Sequence, residues 1–116
     1  MKRTVKQAKK KSENWNIAIK LIIINVVIFL LSLFFQDIVQ NYLVLNSAKI
    51  LTQPWTTITA MFLHASPGHL LFNMYALLLF GPLVEQAIGS RRFLTFYIIA
   101  GILASLGFVL FTPAGI

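Results

Sequence analysis

His69 and Asn73 are the residues of this sequence best placed to do chemistry. They bracket the run His69-Leu-Leu-Phe-Asn73, and side chains four apart share one face of a helix. The run falls in a hydrophobic stretch that belongs in lipid. Polar side chains are costly there and mark candidate functional positions. An imidazole and a carboxamide side by side can aim hydrogen-bond donors at one point. Two roles fit. One is an oxyanion site, where donors meet negative charge as it develops in a transition state. The other is a structural pair tying the helix to a neighbour. Residue type and spacing alone leave both open.

The surrounding residues offer less. His64 stands five residues before His69, across Pro67, and so belongs to the preceding loop. Two histidines can share a metal, but no cysteine or nearby carboxylate completes a ligand set. No metal and no other cofactor is expected. Ser66 is close to both histidines, yet its place before Pro67 is that of a helix N-cap with proline in the first helical position. The other serines, Ser12, Ser32, Ser47, Ser90 and Ser105, stand in no Gly-x-Ser-Gly turn. No residue has the surroundings of an activated nucleophile. With no cysteine, disulfides and thiol catalysis are excluded and the redox compartment is undetermined.

The elements that must position these residues are membrane helices. The 116 residues are 58% hydrophobic and 11% charged, where a soluble domain carries about 25% charged residues. The fold class expected is an all-α membrane protein of three transmembrane helices with a partly helical, interfacial first loop. Residues 1–14 form a basic tail. The spans are expected at about 15–35, 67–88 and 93–111, with a loop over 36–66 and a chain end at 112–116. The first span carries no charge from Leu21 to Phe35, and its exit lacks the small residues of a signal-peptide cleavage site. Within the loop, Leu51, Trp55, Ile58 and Phe62 form one apolar stripe at helical spacing, opposite Thr52, Thr56 and Thr59. That pattern reads as a short helix lying on the membrane surface, with Trp55 at headgroup depth.

Charge sets the orientation. Six of the ten Lys and Arg lie between Lys2 and Lys11. Together with Arg91 and Arg92 they belong on the cytoplasmic side, leaving Lys49 outside. The basic run flanks a hydrophobic segment and lacks any base-reading module, so it implies anionic lipid rather than nucleic acid as partner. The expected location is a multi-pass place in a prokaryotic plasma membrane, N-terminus in the cytoplasm. His69 then lies near the outer surface, with Asn73 about 6 Å deeper. Glu85, about 27 Å along the helix from Pro67, shares a face with Gly81 and Gly89 and reads as an interface residue pairing with Arg91 or Arg92. Asn25 reads as interhelical glue. Ala100, Gly101, Ala104, Ser105 and Gly107 give the third span a small-residue face for close packing.

The stretch Pro54-Trp-Thr-Thr-Ile-Thr-Ala-Met-Phe-Leu-His64, followed by His69-Leu-Leu-Phe-Asn73, Phe80-Gly-Pro-Leu-Val-Glu85 and Gly89, resembles the rhomboid family of intramembrane serine proteases. Ile24-Asn25-Val26-Val27 is similar to that family's first span. The likeness covers about residues 17–111. It implies the N-terminal half of a six-helix bundle that cleaves transmembrane substrates through a Ser–His dyad. By the same likeness His69 and Asn73 line the oxyanion site and His64 organises the loop. Trp55, Gly81, Glu85 and Gly89 complete the structural motif, Glu85 packing the inner half. Many members carry Trp-Arg in the first loop, where this chain has Trp55-Thr56. The family's nucleophilic serine and base histidine, on its fourth and sixth spans, have no counterpart in these residues.

Two functions follow as expectations. One is the N-terminal portion of a rhomboid protease, inactive alone, whose partners are transmembrane substrates and a C-terminal half. The other is a non-enzymatic rhomboid-like protein that binds client or partner transmembrane helices. A small transporter or channel subunit fits less well, since no broken-helix signal repeats across two halves.

Overall fold

The computed structural model describes residues 16–112. The basic tail 1–14, Trp15 and residues 113–116 of the chain end lie outside them. Three long helices dominate: α1 (Asn16–Phe34), α2 (Pro67–Ile88) and α3 (Ser90–Phe111). Each is long and apolar enough to cross a membrane. No strand occurs among the described residues, and the all-α membrane fold expected from composition is the fold observed. Most large apolar side chains point outward, among them Phe34, Leu71, Phe72 and Leu110. Lipid is the environment that makes this tolerable, since the backbone groups of a helix are satisfied within the segment.

Because apolar side chains gain little by leaving lipid for a protein interior, close packing and polar contacts must hold the bundle. Ala18, Leu21 and Phe93 form the buried core, with Leu77 and Tyr97 packed against it. Gly81 lets α1 approach α2, because a methyl group there would stand 3.0 Å from the Ala18 Cβ. Asn25 is fully buried. Its Nδ2 donates to the Leu21 carbonyl at 2.7 Å and to the Tyr97 hydroxyl at 3.4 Å, which links α1 to α3.

The sharpest polar anchor is Glu85. Its carboxylate is fully buried and accepts from the backbone N–H groups of Ile17 and Ala18, both at 3.1 Å, and from the Ser90 hydroxyl at 2.6 Å. The first N–H groups of a helix have no intrahelical acceptor, and a negative charge suits the positive end of the helix dipole. Glu85 therefore caps α1 from a different helix. The expected pairing with Arg91 or Arg92 is corrected by these contacts. Sequence proximity favoured the arginines, but they are exposed while the carboxylate turns inward to the orphan amides.

The turn between α2 and α3 is a single residue. Gly89 has φ +90° and ψ 157°, a conformation that glycine adopts without a side-chain clash. Helix resumes at Ser90, three residues before the span read from the sequence, so Arg91 and Arg92 sit in the first turn of α3 rather than in a loop.

The connection from α1 to α2 is ordered by side chains that grip backbone carbonyls. Trp55 Nε1 donates to Tyr42 O at 2.7 Å, Gln53 Nε2 to Asn41 O at 2.9 Å, and Thr59 Oγ1 to Leu43 O at 2.8 Å. Trp55 is thus held without an arginine beside it. The helical part of the loop runs only over Thr56–Thr59 and a tighter turn at Ala60–Phe62, shorter than the stripe beginning at Leu51 implied. Pro54 lies ahead of it and lacks the N–H that would carry a helix through from Leu51. The sidedness is kept only in part: Trp55 and Ile58 are exposed and Thr56 is buried, but Phe62 of the stripe packs against the core and Thr52 of the other face is exposed.

Candidate functional site

The site begins at the start of α2. Ser66 is extended, and its hydroxyl accepts the His69 backbone N–H at 3.2 Å. Pro67 follows as the first helical residue. This cap fixes where the helix starts and so fixes the height of His69 and Asn73 on it. It also gives Ser66 a structural task, which removes the suggestion of a Ser66–His69 dyad.

His69 is exposed and Asn73 half-buried. His69 lines a cleft of about 1160 Å³ between the α1 exit, the loop and α3, together with His64, Gln36, Tyr97, Ala104 and Ser105. Asn73, one turn further along α2, is not among the residues lining that cleft. Among the described residues the Asn73 carboxamide and the His69 imidazole make no hydrogen bond to another part of the chain. They differ in this from Asn25 and Glu85, whose side chains bridge helices.

His64 lies in the loop, outside the helix that carries His69, yet the two rings meet edge to face with centroids 5.2 Å apart and planes at 74°. Its pKa is pushed below the ordinary 6.5, chiefly by burial and then by the neighbouring His69 charge, against an opposing backbone contact at Phe62. Both effects favour the neutral form of the His64 imidazole beside His69. Among the described residues no three His, Cys, Asp or Glu gather to hold a metal ion.

The small-residue face of α3 has two uses. The Met61 side chain packs into the space at Gly101, and Ser105 Oγ donates to Thr57 O at 2.8 Å, so the loop is pinned on α3. Ala100 and Ala104, with Gly101 and Ser105, also border the open cleft. Sequence reasoning did not single out Tyr97, Met61 or Ser90, the partners of Asn25, Gly101 and Glu85. Ser90 had a signal, since a hydroxyl five residues after a buried carboxylate, across a glycine turn, is within reach of it. Tyr97 and Met61 had none, because their contacts join distant segments.

Comparison with known proteins adds a family. Residues 51–116 match the family model described as the Rhomboid domain. The chain is 43% identical over 53 residues to YdcA of Bacillus subtilis, covering 46% of this chain and 27% of that protein. It is 42% identical over 59 residues to the rhomboid protease GluP of the same organism, covering 51% of this chain and 12% of GluP. It is 39% identical over 64 residues to the mitochondrial RHOMBOID-like protein 6 of Arabidopsis thaliana, covering 55% and 21%. The matches thus take in less than a third of the length of these relatives. No solved structure gives a significant match.

Proposed function

The chain belongs to the rhomboid family, and we propose that it is the N-terminal portion of an intramembrane serine protease, the portion that supplies the oxyanion site. In this reading His69 and Asn73 donate to the tetrahedral intermediate formed when a serine attacks a peptide carbonyl of a transmembrane substrate. Preorganised donors of this kind lower the barrier because they need not reorient as the charge appears. The serine and the base histidine come from sequence other than these 116 residues, and the chain alone does not turn over substrate. The excess of basic residues on one side supports a reading in which the N-terminus is cytoplasmic and the mouth of the cleft lies near the outer surface, and a prokaryotic plasma membrane is part of the same proposal.

One observation carries the reading. His69 and Asn73 stand on one helix face with their side-chain donors uncommitted among the described residues, and His69 lines a cleft large enough to admit another chain segment. A pair that tied α2 to α1, α3 or the loop would have a partner among the described residues. The client-binding alternative drew on two inward asparagines, and Asn25 is already engaged by Leu21 and Tyr97.

The test starts with the coding sequence beyond Ile116. A stop codon there, with no separate frame supplying Gly-x-Ser-Gly and a later histidine, ends the protease reading. If those elements are found, the complete protein is assayed on a transmembrane substrate. His69→Ala and Asn73→Ala should each lower kcat by about 10²–10³ with little change in KM. Undiminished turnover in both variants would remove the oxyanion assignment.

A further inference from the structure

We propose that the end of the bundle where α1 begins and α2 turns into α3 binds the headgroups of anionic phospholipids through Arg91 and Arg92, with Lys20 beside them. Sequence alone would neutralise these arginines with Glu85. The structure buries that carboxylate completely against the Ile17 and Ala18 amides and the Ser90 hydroxyl. Arg91 and Arg92 are left exposed and without an ion pair among the described residues. Asp37, the other described acid, lies beyond the opposite end of α1.

The same contacts define the patch. One carboxylate joins the first turn of α1 to Ser90, so the starts of α1 and α3 lie within a few ångströms of each other. Lys20, two residues past Ala18, is exposed within the same turn. Phe93 is buried against Ala18 and Leu21, which turns its face of α3 inward and leaves Arg91 and Arg92 on the outside. The six cations between Lys2 and Lys11 precede α1 in the sequence. Because α1, α2 and α3 are membrane spans, their ends meet the headgroup layer, where lipid phosphates are the abundant anions. Guanidinium groups match phosphate in geometry as well as charge and donate two parallel hydrogen bonds. The partner is therefore a phospholipid with net negative charge, such as phosphatidylglycerol. This inference rests on the membrane fold and is independent of the proteolytic reading.

The chain contains two tryptophans, Trp15 and Trp55, and Trp15 immediately precedes Asn16, the first residue of α1, in the sequence. In a Trp55→Phe background Trp15 is the sole reporter. The full chain is reconstituted in phosphatidylcholine vesicles containing phosphatidylglycerol, with bromine on one lipid or the other, and quenching gives the relative occupancy at that site. Phosphatidylglycerol should be preferred about five-fold at low salt, the scale set by a basic residue at an anionic surface. The preference should shrink in 0.5 M salt. Arg91→Gln with Arg92→Gln should bring it close to unity, while Arg91→Lys with Arg92→Lys should keep most of it, helical content being checked by circular dichroism. Equal quenching by the two brominated lipids would overturn the proposal. So would a preference that survives the glutamine pair but disappears in Lys9→Gln, Lys10→Gln, Lys11→Gln, which would assign the lipid to the tail instead.

Discussion

Replacing Glu85 by glutamine is the most direct probe of how the bundle is held. The substitution keeps the shape and one acceptor oxygen, which in the Oε2 position still serves both the Ile17 amide and the Ser90 hydroxyl. The new NH2 group faces a donor where the second carboxylate oxygen accepted. One charge-assisted hydrogen bond is lost, worth about 1.5–3 kcal/mol. The interaction of a full negative charge with the α1 dipole is lost too, about 0.3–1 kcal/mol at an ordinary helix end and more when partly buried. Glu85→Gln should therefore destabilise the chain by about 2–4 kcal/mol. Ser90→Ala, which leaves the carboxylate on both amides, should cost about 1 kcal/mol. Reversible unfolding by sodium dodecyl sulfate in mixed micelles, followed by circular dichroism, measures both. The decisive comparison is Arg91→Gln with Arg92→Gln. If Glu85 were paired with an arginine, removing the arginines would leave a buried charge alone and cost about 3–5 kcal/mol. With the amides as partners the double variant should stay within about 0.5 kcal/mol of the parent, as exposed positions do. A cost equal to that of Glu85→Gln would refute the capping argument.

Other outcomes follow from the same contacts. Gly101→Ala should destabilise by about 1–3 kcal/mol through overlap with Met61, and Met61→Ala should relieve a large part of that in the double variant; Gly107→Ala, which meets open space, should cost nothing. Tyr97→Phe should cost less than about 1 kcal/mol, the usual worth of one interhelical hydrogen bond in a membrane bundle, because Asn25 keeps its shorter bond to Leu21; unfolding in the same assay checks it. The lowered pKa of His64 means the unfolded chain binds a proton more readily than the folded one. That contribution to stability is fully present above about pH 6.5 and is lost as pH falls through the folded-state value. Melting at pH 7.5 and 5.5 should show a fall that His64→Gln reduces, and His69→Ala should raise the His64 titration observed by NMR. Asn73→Ala should leave the stability of the isolated chain within about 0.5 kcal/mol; a loss above 2 kcal/mol would show it to be a structural residue.

The three helices were legible in the sequence because lipid imposes a simple rule. Long uncharged runs bounded by charge or by Pro and Gly have little other fate in a membrane, and Ser66-Pro67 marked the second start without ambiguity. The start of α3 was less legible. Gly-Ser-Arg-Arg looks like a polar turn, but polarity at headgroup depth does not break a helix, and Gly89 alone reverses the chain. The loop stripe gave the faces only in part and the wrong length, since periodicity registers neither Pro54 at its head nor the core that draws Phe62 inward. The Glu85 contacts were illegible for a different reason. An arginine six residues away is visible in a sequence, whereas amide groups 67 and 68 residues away become candidates only when α1 and α2 are seen side by side.

That contrast bears on the candidate site. A polar side chain inside a membrane bundle must answer for its desolvation, and Glu85 and Ser105 do so by reaching across to another segment. His69 and Asn73 reach across to nothing among the described residues, although His64 and Tyr97 line the same cleft as His69. His69 escapes the cost by standing at the exposed end of α2, and its ring rests on His64. Asn73 is half-buried one turn deeper and has no such excuse. A carboxamide held in that position makes physical sense when something else supplies the acceptor. The acceptor that suits both residues at once is a single oxygen placed between them, carrying more negative charge than a ground-state carbonyl. Spacing by itself could not separate that role from interhelical glue; that α1, α3 and the loop supply no partner among the described residues removes glue within this bundle, and supports the proposed oxyanion role that the His69→Ala and Asn73→Ala assays test.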